Sequence, residues 1–172
     1  MPGQNIGLTM PHGYAGSFTR QPDLIVDSHP LGGSEHAGFG TPLAYGAGAD
    51  GGKVVPFGAG RAAEDFVGVA ARELKSALAY LDQNLGQYSP NEAVSVLKRG
   101  CVDVVCHVGV PALGGKVFIR VADNAAVPTG VVGGFEAQAD GANTVELTNC
   151  RWHGGADADR VAEIRILTCN NA

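Results

Sequence analysis

Hydrophobic residues recur at every second position in many short stretches of the chain from about residue 39 onward. Val117, Ile119 and Val121, for example, are each two residues apart. Because successive side chains of a strand point to opposite faces, this spacing predicts β-strands that bury one face. The segments with a strand pattern are Pro42 to Tyr45, Lys53 to Phe57, Phe66 to Ala71, Ala93 to Leu97, Cys101 to Val108, Lys116 to Val121, Thr144 to Thr148 and Val161 to Thr168. Glycine-rich turns separate them, so the sequence predicts an all-β protein, either a sandwich or a barrel.

The segment from Cys101 to Val108 has two distinct faces. Its apolar face consists of Val102, Val104, Cys106 and Val108. The opposite face carries Asp103 and His107 together with Val105. We therefore expect the two polar side chains on the outer face of this strand.

One segment departs from the strand pattern. Its apolar residues recur at helical spacing and are Leu74, Ala77, Leu78, Leu81 and Leu85. Gly86 follows directly and is a typical stop at the C-terminal end of a helix. Taken alone, this pattern predicts a helix from Glu73 to Leu85.

Residues 1 to about 38 have no sustained hydrophobic period and are rich in Gly, Pro, Ser and His. Within them, only Asp23 to Asp27 has the composition of a short strand. Two interpretations are open: a disordered tail, or an extended arm that folds onto a partner. The scattered large apolar residues favour the arm. We therefore divide the chain into an extended N-terminal arm over residues 1–38 and a β-barrel domain over residues 39–172.

Composition narrows the class of protein. Of the 172 residues, 45% are hydrophobic and 26 are glycine, which fits a single folded domain with many turns. The net charge of −5 argues against a nucleic-acid-binding protein and a polybasic membrane anchor, since both need a basic surface. No apolar run approaches the ~18 residues of a membrane span. The N-terminus has no secretory-signal pattern, so we expect the chain to be made and kept in a cytoplasm.

No motif in the sequence predicts catalysis, a bound metal or a cofactor. The segment from Gly109 to Lys116 is similar to a phosphate-binding loop, but its extra glycine and the strand that follows favour a hairpin turn. Cys150 and His153 have C-x-x-H spacing, without the second pair of ligands that structural zinc sites usually have. A G-x-S-x-G nucleophile element is also missing from the sequence. We therefore expect a protein that is not an enzyme.

Four stretches of sequence resemble the structural cement, or head decoration, proteins of tailed bacteriophages. They are FGTPLAYG with the following GGKVVPF, FVGVAARE, PNEAVSVLKRG with the later GGKVFIRVAD, and NTVELTNCRWHGGADADRVAEIRILTCNNA. Their order along residues 39–172, rather than any single motif, carries the resemblance. It implies a small antiparallel β-barrel or jelly-roll-like sandwich. It also favours an extended strand and loop over a helix at Leu74 to Leu85.

The same resemblance implies a function, partners and a location. It implies a structural virion protein that binds the outer surface of the expanded phage capsid, clamps neighbouring major capsid proteins and so stabilises the head. The expected partners are the phage major capsid protein and further copies of this chain, as a dimer or trimer, with no nucleic acid, membrane or cofactor. The resemblance also implies assembly in the host bacterial cytoplasm. The alternative is a β-barrel that binds carbohydrate or a receptor as a head fibre module.

Candidate contact residues are large apolar or aromatic side chains in the arm and beside the atypical segment, together with the single tryptophan. We expect capsid or subunit contacts from Ile6, Leu8, Tyr14, Phe18, Tyr80, Tyr88 and Trp152. For Tyr80 and Tyr88, packing in the core is the alternative. For Trp152, which has the side chain most enriched at interface anchors, the alternative is a position at the rim of the barrel.

Overall fold

The structure, a computed structural model, describes residues 11–73 and 85–168. Its strands are β1 (Phe18–Pro30), β2 (Ala37–Gly38), β3 (Pro42–Tyr45), β4 (Val54–Pro56), β5 (Phe66–Ala70), β6 (Gln87–Tyr88), β7 (Ala93–Val108), β8 (Lys116–Arg120), β9 (Phe135–Glu136), β10 (Thr144–Trp152) and β11 (Val161–Ile166). Three-residue 3₁₀ turns lie at Gly48–Asp50, Ala63–Asp65 and Gly141–Asn143. The prediction of an all-β protein is confirmed.

The long strand β7 organises the molecule. It has 16 residues, and its second half pairs with β11 and with β9. β10 joins β11 to β8, and β8 joins β9, so these four strands return to β7 and close a five-stranded barrel. Closure satisfies the backbone groups that a sheet edge would otherwise leave unpaired.

The first half of β7 belongs to a second set of strands. It pairs with β1 and with β5, and β5 leads through β3 to β4. Two hydrophobic cores result. The barrel core includes Val102, Val104, Leu147, Trp152 and Ile164. The second core includes Leu31, Leu43, Tyr88 and Val96.

The strand predictions hold where hydrophobic alternation is regular. The segment from Pro42 to Tyr45 coincides with β3, and the glycine-rich loop after it joins β3 to β4 as a hairpin. The predicted strands Ala93 to Leu97 and Cys101 to Val108 are two ends of one strand, β7. The hairpin predicted at Gly109 to Lys116 is wrong, because β9 lies between β7 and β8 in the sheet.

Much of the predicted arm is part of the sheet. Strand β1 extends over 13 residues rather than over Asp23 to Asp27 alone, and it pairs antiparallel with β7. Leu31, which follows β1, is fully buried in the second core. Residues 18–31 therefore pack with the strands that follow residue 38. The helix predicted from Glu73 to Leu85 lies outside the described residues over positions 74–84.

Candidate functional site

The outer faces of β7 and β11 carry one buried carboxylate each, where the chain at the start of β1 crosses them. Asp103 on β7 and Glu163 on β11 are opposite each other in the strand register and are 1% and 4% exposed. The segment that covers them is residues 12–20, here called the N-terminal cover. Its backbone is hydrogen-bonded to β7, since the Gly16 N–H donates to the Asp103 carbonyl at 2.7 Å and the Asp103 N–H donates to the Ser17 carbonyl at 3.0 Å.

Glu163 is held as a charged partner of the N-terminal cover. Its Oε1 accepts hydrogen bonds from Thr19 Oγ1 at 2.9 Å and from Arg20 Nε at 2.6 Å, and its Oε2 accepts from Arg20 Nη2 at 3.1 Å. His153 Nδ1 lies 3.6 Å from Oε2. Burial raises the pKa of Glu163, but the hydrogen bonds from Arg20 and Thr19 outweigh burial and leave the pKa below its ordinary value.

Asp103 has a different environment. Within the described chain its Oδ1 makes no hydrogen bond, and the ring nitrogen Nδ1 of His12 lies 3.5 Å from it. Burial raises the pKa of Asp103 to about 6, His12 opposes this, and the charges of Glu163 and Asp157 add to it. The prediction that Asp103 lies on the outer face of the strand is correct, but the N-terminal cover shields it from water.

His12 attaches the start of the N-terminal cover to the loop before β11. Its backbone N–H donates to Asp157 Oδ2 at 2.9 Å, and its Nε2 lies 2.9 Å from the carbonyl oxygen of Gly155. Asp157 also accepts the backbone N–H groups of Asp159 and Val161. The loop and the N-terminal cover are therefore fixed together.

We expect Asp103→Asn to stabilise the protein by about 1–2 kcal/mol at about pH 8, because the variant no longer buries a charge there. The pKa of about 6 in the folded state is above the ordinary value, so Asp103 costs stability at high pH and this cost disappears as the pH falls through about 6 toward 4. The gain should therefore vanish below about pH 4. Urea unfolding at several pH values measures it, with the exposed Asp123→Asn as the control. A gain that does not depend on pH would contradict this interpretation of Asp103.

The loop between β7 and β8, residues 109–115, presents an apolar surface. Val110 is 89% exposed and Leu113 is 74% exposed. The loop is fixed to the end of β10, since the Gly114 N–H donates to the Trp152 carbonyl at 2.8 Å and the Trp152 N–H donates to the Gly115 carbonyl at 3.0 Å. Two apolar side chains held in water on a hydrogen-bonded loop are suited to contact with another protein.

The structure places the predicted contact residues in different environments. Tyr14 is 68% exposed, with the Arg72 guanidinium 4.3 Å from the centre of its ring. Phe18 begins β1 and packs, partly buried, against the barrel core. The remaining arm and segment candidates, Ile6, Leu8 and Tyr80, lie outside the described residues.

Two predicted contact residues lie in the cores instead. Tyr88 is 1% exposed, and its hydroxyl donates to the Ala71 carbonyl at 2.7 Å. Trp152 is also 1% exposed and lies in the barrel core beneath the loop at Gly115. As corrections to the sequence analysis, neither side chain is presented to a partner in this structure. For Tyr88 this is the core alternative, whereas Trp152 lies deeper than the predicted rim position.

Val110 and Leu113 were outside the residues that pattern analysis selects. They lie in a glycine-flanked loop, and a loop has no regular spacing of buried positions that a sequence pattern could reveal. The available signal is compositional: the sequence VPAL between glycines has no polar side chain, which is unusual for a turn.

The cysteines of the described residues are free thiols. Cys101, Cys106 and Cys150 are free and buried, and burial raises the pKa of each, that of Cys101 to about 11. Within residues 11–73 and 85–168, no three His, Cys, Asp or Glu side chains are placed to hold a metal ion. The same residues contain no helix that is long and apolar enough to cross a membrane.

The described residues thus form an all-β protein with a closed barrel, a covered outer face and an exposed apolar loop. The sequence profile of the structural cement proteins (E217 gp24/Pam3 gp6) matches residues 2–167. The chain therefore belongs to the structural cement protein family of bacteriophages, and the resemblance found in the sequence is confirmed. This family consists of structural proteins of the phage capsid and is not a class of enzymes.

The fold is also found in a solved capsid structure. A chain of "The capsid of Myoviridae Phage XM1" is 16% identical in sequence, with a TM-score of 0.66, and the match covers 95% of this chain and 96% of that chain. At this identity the likeness extends to the fold. No curated protein matches the chain.

Proposed function

We propose that this protein binds the outer surface of the expanded phage capsid and clamps neighbouring major capsid proteins, which stabilises the head. The observation that carries the proposal is family membership over residues 2–167. The net charge of −5 supports a position outside the shell, because packaged DNA repels an acidic protein from the lumen.

Clamping needs more than one contact surface, and two separate features can supply them. One is the 109–115 loop with Val110 and Leu113 exposed. The other is the N-terminal region, where Tyr14 is exposed and the predicted contact residues Ile6 and Leu8 precede it in sequence. Once the first surface is bound, the second contact becomes intramolecular and strengthens attachment without being strong by itself.

Self-association would add to the same effect. In a dimer at two-fold positions or a trimer at three-fold positions, each copy brings its own loop and N-terminal region to the shell. Outward pressure must then break several interfaces at once.

Co-sedimentation with expanded capsids that lack the protein tests this function. We expect saturable binding at a fixed ratio to the major capsid protein, together with a raised melting temperature of the shell. The ratio separates two-fold from three-fold placement. Absence of binding, or binding that leaves the melting temperature of the shell unchanged, would contradict clamping, and glycan binding would become the next function to test.

A further inference from the structure

We propose that a basic cleft on the outer face of β1, β7 and β11 binds an acidic side chain of the capsid protein. The cleft measures about 170 Å³ and is lined by Arg20, Gln21, Asp23, Gly100, Cys101 and Arg165; with Arg99 beside it, it is here called the arginine cleft. The inference rests on the proposed function, because the capsid is the source of the acidic group.

An irregularity in β1 forms the cleft. Arg20 is opposite Cys101 in the register and Ile25 is opposite Arg99, so the four residues 21–24 form a bulge opposite the single residue Gly100. Gly100 has φ +124°, and a Cβ there would be 2.6 Å from the Asp23 carbonyl oxygen. Only glycine fits, since this φ and the close approach of backbone both exclude a side chain. The glycine allows the β1 bulge to lie against β7 and brings Asp23 between two arginines.

The guanidinium groups at the cleft outnumber the carboxylates. Asp23 lies between Arg99 and Arg165, with Arg99 Nε 3.0 Å from its Oδ1 and Arg165 Nη2 3.4 Å from its Oδ2. Arg20 is paired with Glu163. Within the lining of the cleft, Arg99 and Arg165 thus share the single carboxylate of Asp23. This is a local positive charge on a protein of net charge −5, and it favours an additional anion.

Hydrogen-bond donors at the cleft are also open to a partner. The side chains of Arg99 and Arg165 are 44% and 43% exposed, so a partner can reach their guanidinium groups. A guanidinium matches a carboxylate in geometry as well as in charge. A carboxylate is therefore the ligand that suits the cleft.

The surroundings of the cleft favour a carboxylate on a protein over a free anion. Ile25, opposite Arg99, is 39% exposed, and Leu167, directly after β11, is 45% exposed. Arginine is enriched at protein interfaces, and a free anion would leave both aliphatic side chains in water. The apolar neighbours would be covered by the partner that supplies the acidic side chain.

The double variant Arg99→Gln/Arg165→Gln tests the proposal on capsids. Loss of the charged pairing should weaken binding by about tenfold or more and reduce its dependence on salt, because the lost contact is electrostatic. Arg61→Gln is the matched control, since Arg61 contacts a backbone carbonyl on another part of the surface. Melting temperatures of the free variants check that both fold. Unchanged capsid affinity and salt dependence of the folded double variant would overturn the proposal.

A second measurement separates this proposal from the proposed function. A capped triglutamate peptide is titrated into the ¹⁵N-labelled protein without any capsid. Saturable shifts of the Gly100 and Cys101 amides, absent from the double variant, are expected. If the wild type binds no capsid but shows these shifts, the proposed function fails and the cleft remains a carboxylate site. The cleft proposal fails alone under a different result. In that case the wild type binds capsids, the peptide causes no amide shifts, and the double variant binds capsids as tightly as the wild type.

Discussion

Replacing Arg120 by methionine is expected to lower the free energy of unfolding by about 3–5 kcal/mol. Arg120 at the end of β8 is 1% exposed and Glu136 in β9 is fully buried. Their side chains form a two-point pair, with Nε to Oε1 at 2.5 Å and Nη2 to Oε2 at 3.0 Å. Arg120 Nη1 also donates to Asp140 Oδ2 at 2.8 Å. Methionine would leave the Glu136 carboxylate buried without a counter-charge.

The pair matters for the barrel because β9 is only two residues long and still links β8 to β7. Urea unfolding measures the loss. The double variant Arg120→Met/Glu136→Gln is the control and should recover part of it, because the uncompensated charge is removed. A loss below about 1 kcal/mol for the single variant would show that the buried pair contributes little.

Deleting residues 1–36 is expected to abolish folding. The deletion removes β1, the partner of β7 from Phe18 to Pro30, together with the fully buried Leu31. It also removes Thr19 and Arg20, which hydrogen-bond to the Glu163 carboxylate. These losses exceed what a domain of ordinary marginal stability tolerates. Circular dichroism and size-exclusion chromatography measure the outcome.

The point variant Ile25→Ser serves as the control for this deletion, because Ile25 belongs to the same strand and is partly exposed. It should keep the fold. A deletion variant that is monomeric and unfolds cooperatively would contradict the placement of β1 in the fold. If the deletion unfolds the chain, its failure to bind capsids says nothing about an arm. Substitution of the exposed Tyr14 is then the better test of the N-terminal contact.

Local pattern was sufficient for short, strongly apolar strands such as β3 and β8, although both faces of these strands are buried. It was insufficient for β1, because residues 21–24 form a bulge opposite Gly100 and interrupt the alternation. The pattern also predicted two strands in place of β7. Residues 98–100 are Lys, Arg and Gly and show no apolar face, although the strand continues through them. Strand β9 has too few residues for any period to be visible.

The candidate site depends on contacts between distant parts of the chain. Asp103 is buried by residues that precede it by more than eighty positions, and nothing near Asp103 in sequence indicates that cover. The burial of Glu136 likewise depends on Arg120 in another strand. The functional class came from the resemblance of four ordered stretches to a family, since none of their residues forms a chemical motif.

Electron cryo-microscopy of expanded capsids, with and without the added protein, tests the central claim most directly. The account predicts extra density on the outer surface, at fixed symmetry positions, with each copy in contact with at least two major capsid subunits. The 109–115 loop and the arginine cleft should lie at these contacts. Density inside the shell, or density that touches a single capsid subunit, would contradict clamping from the outside.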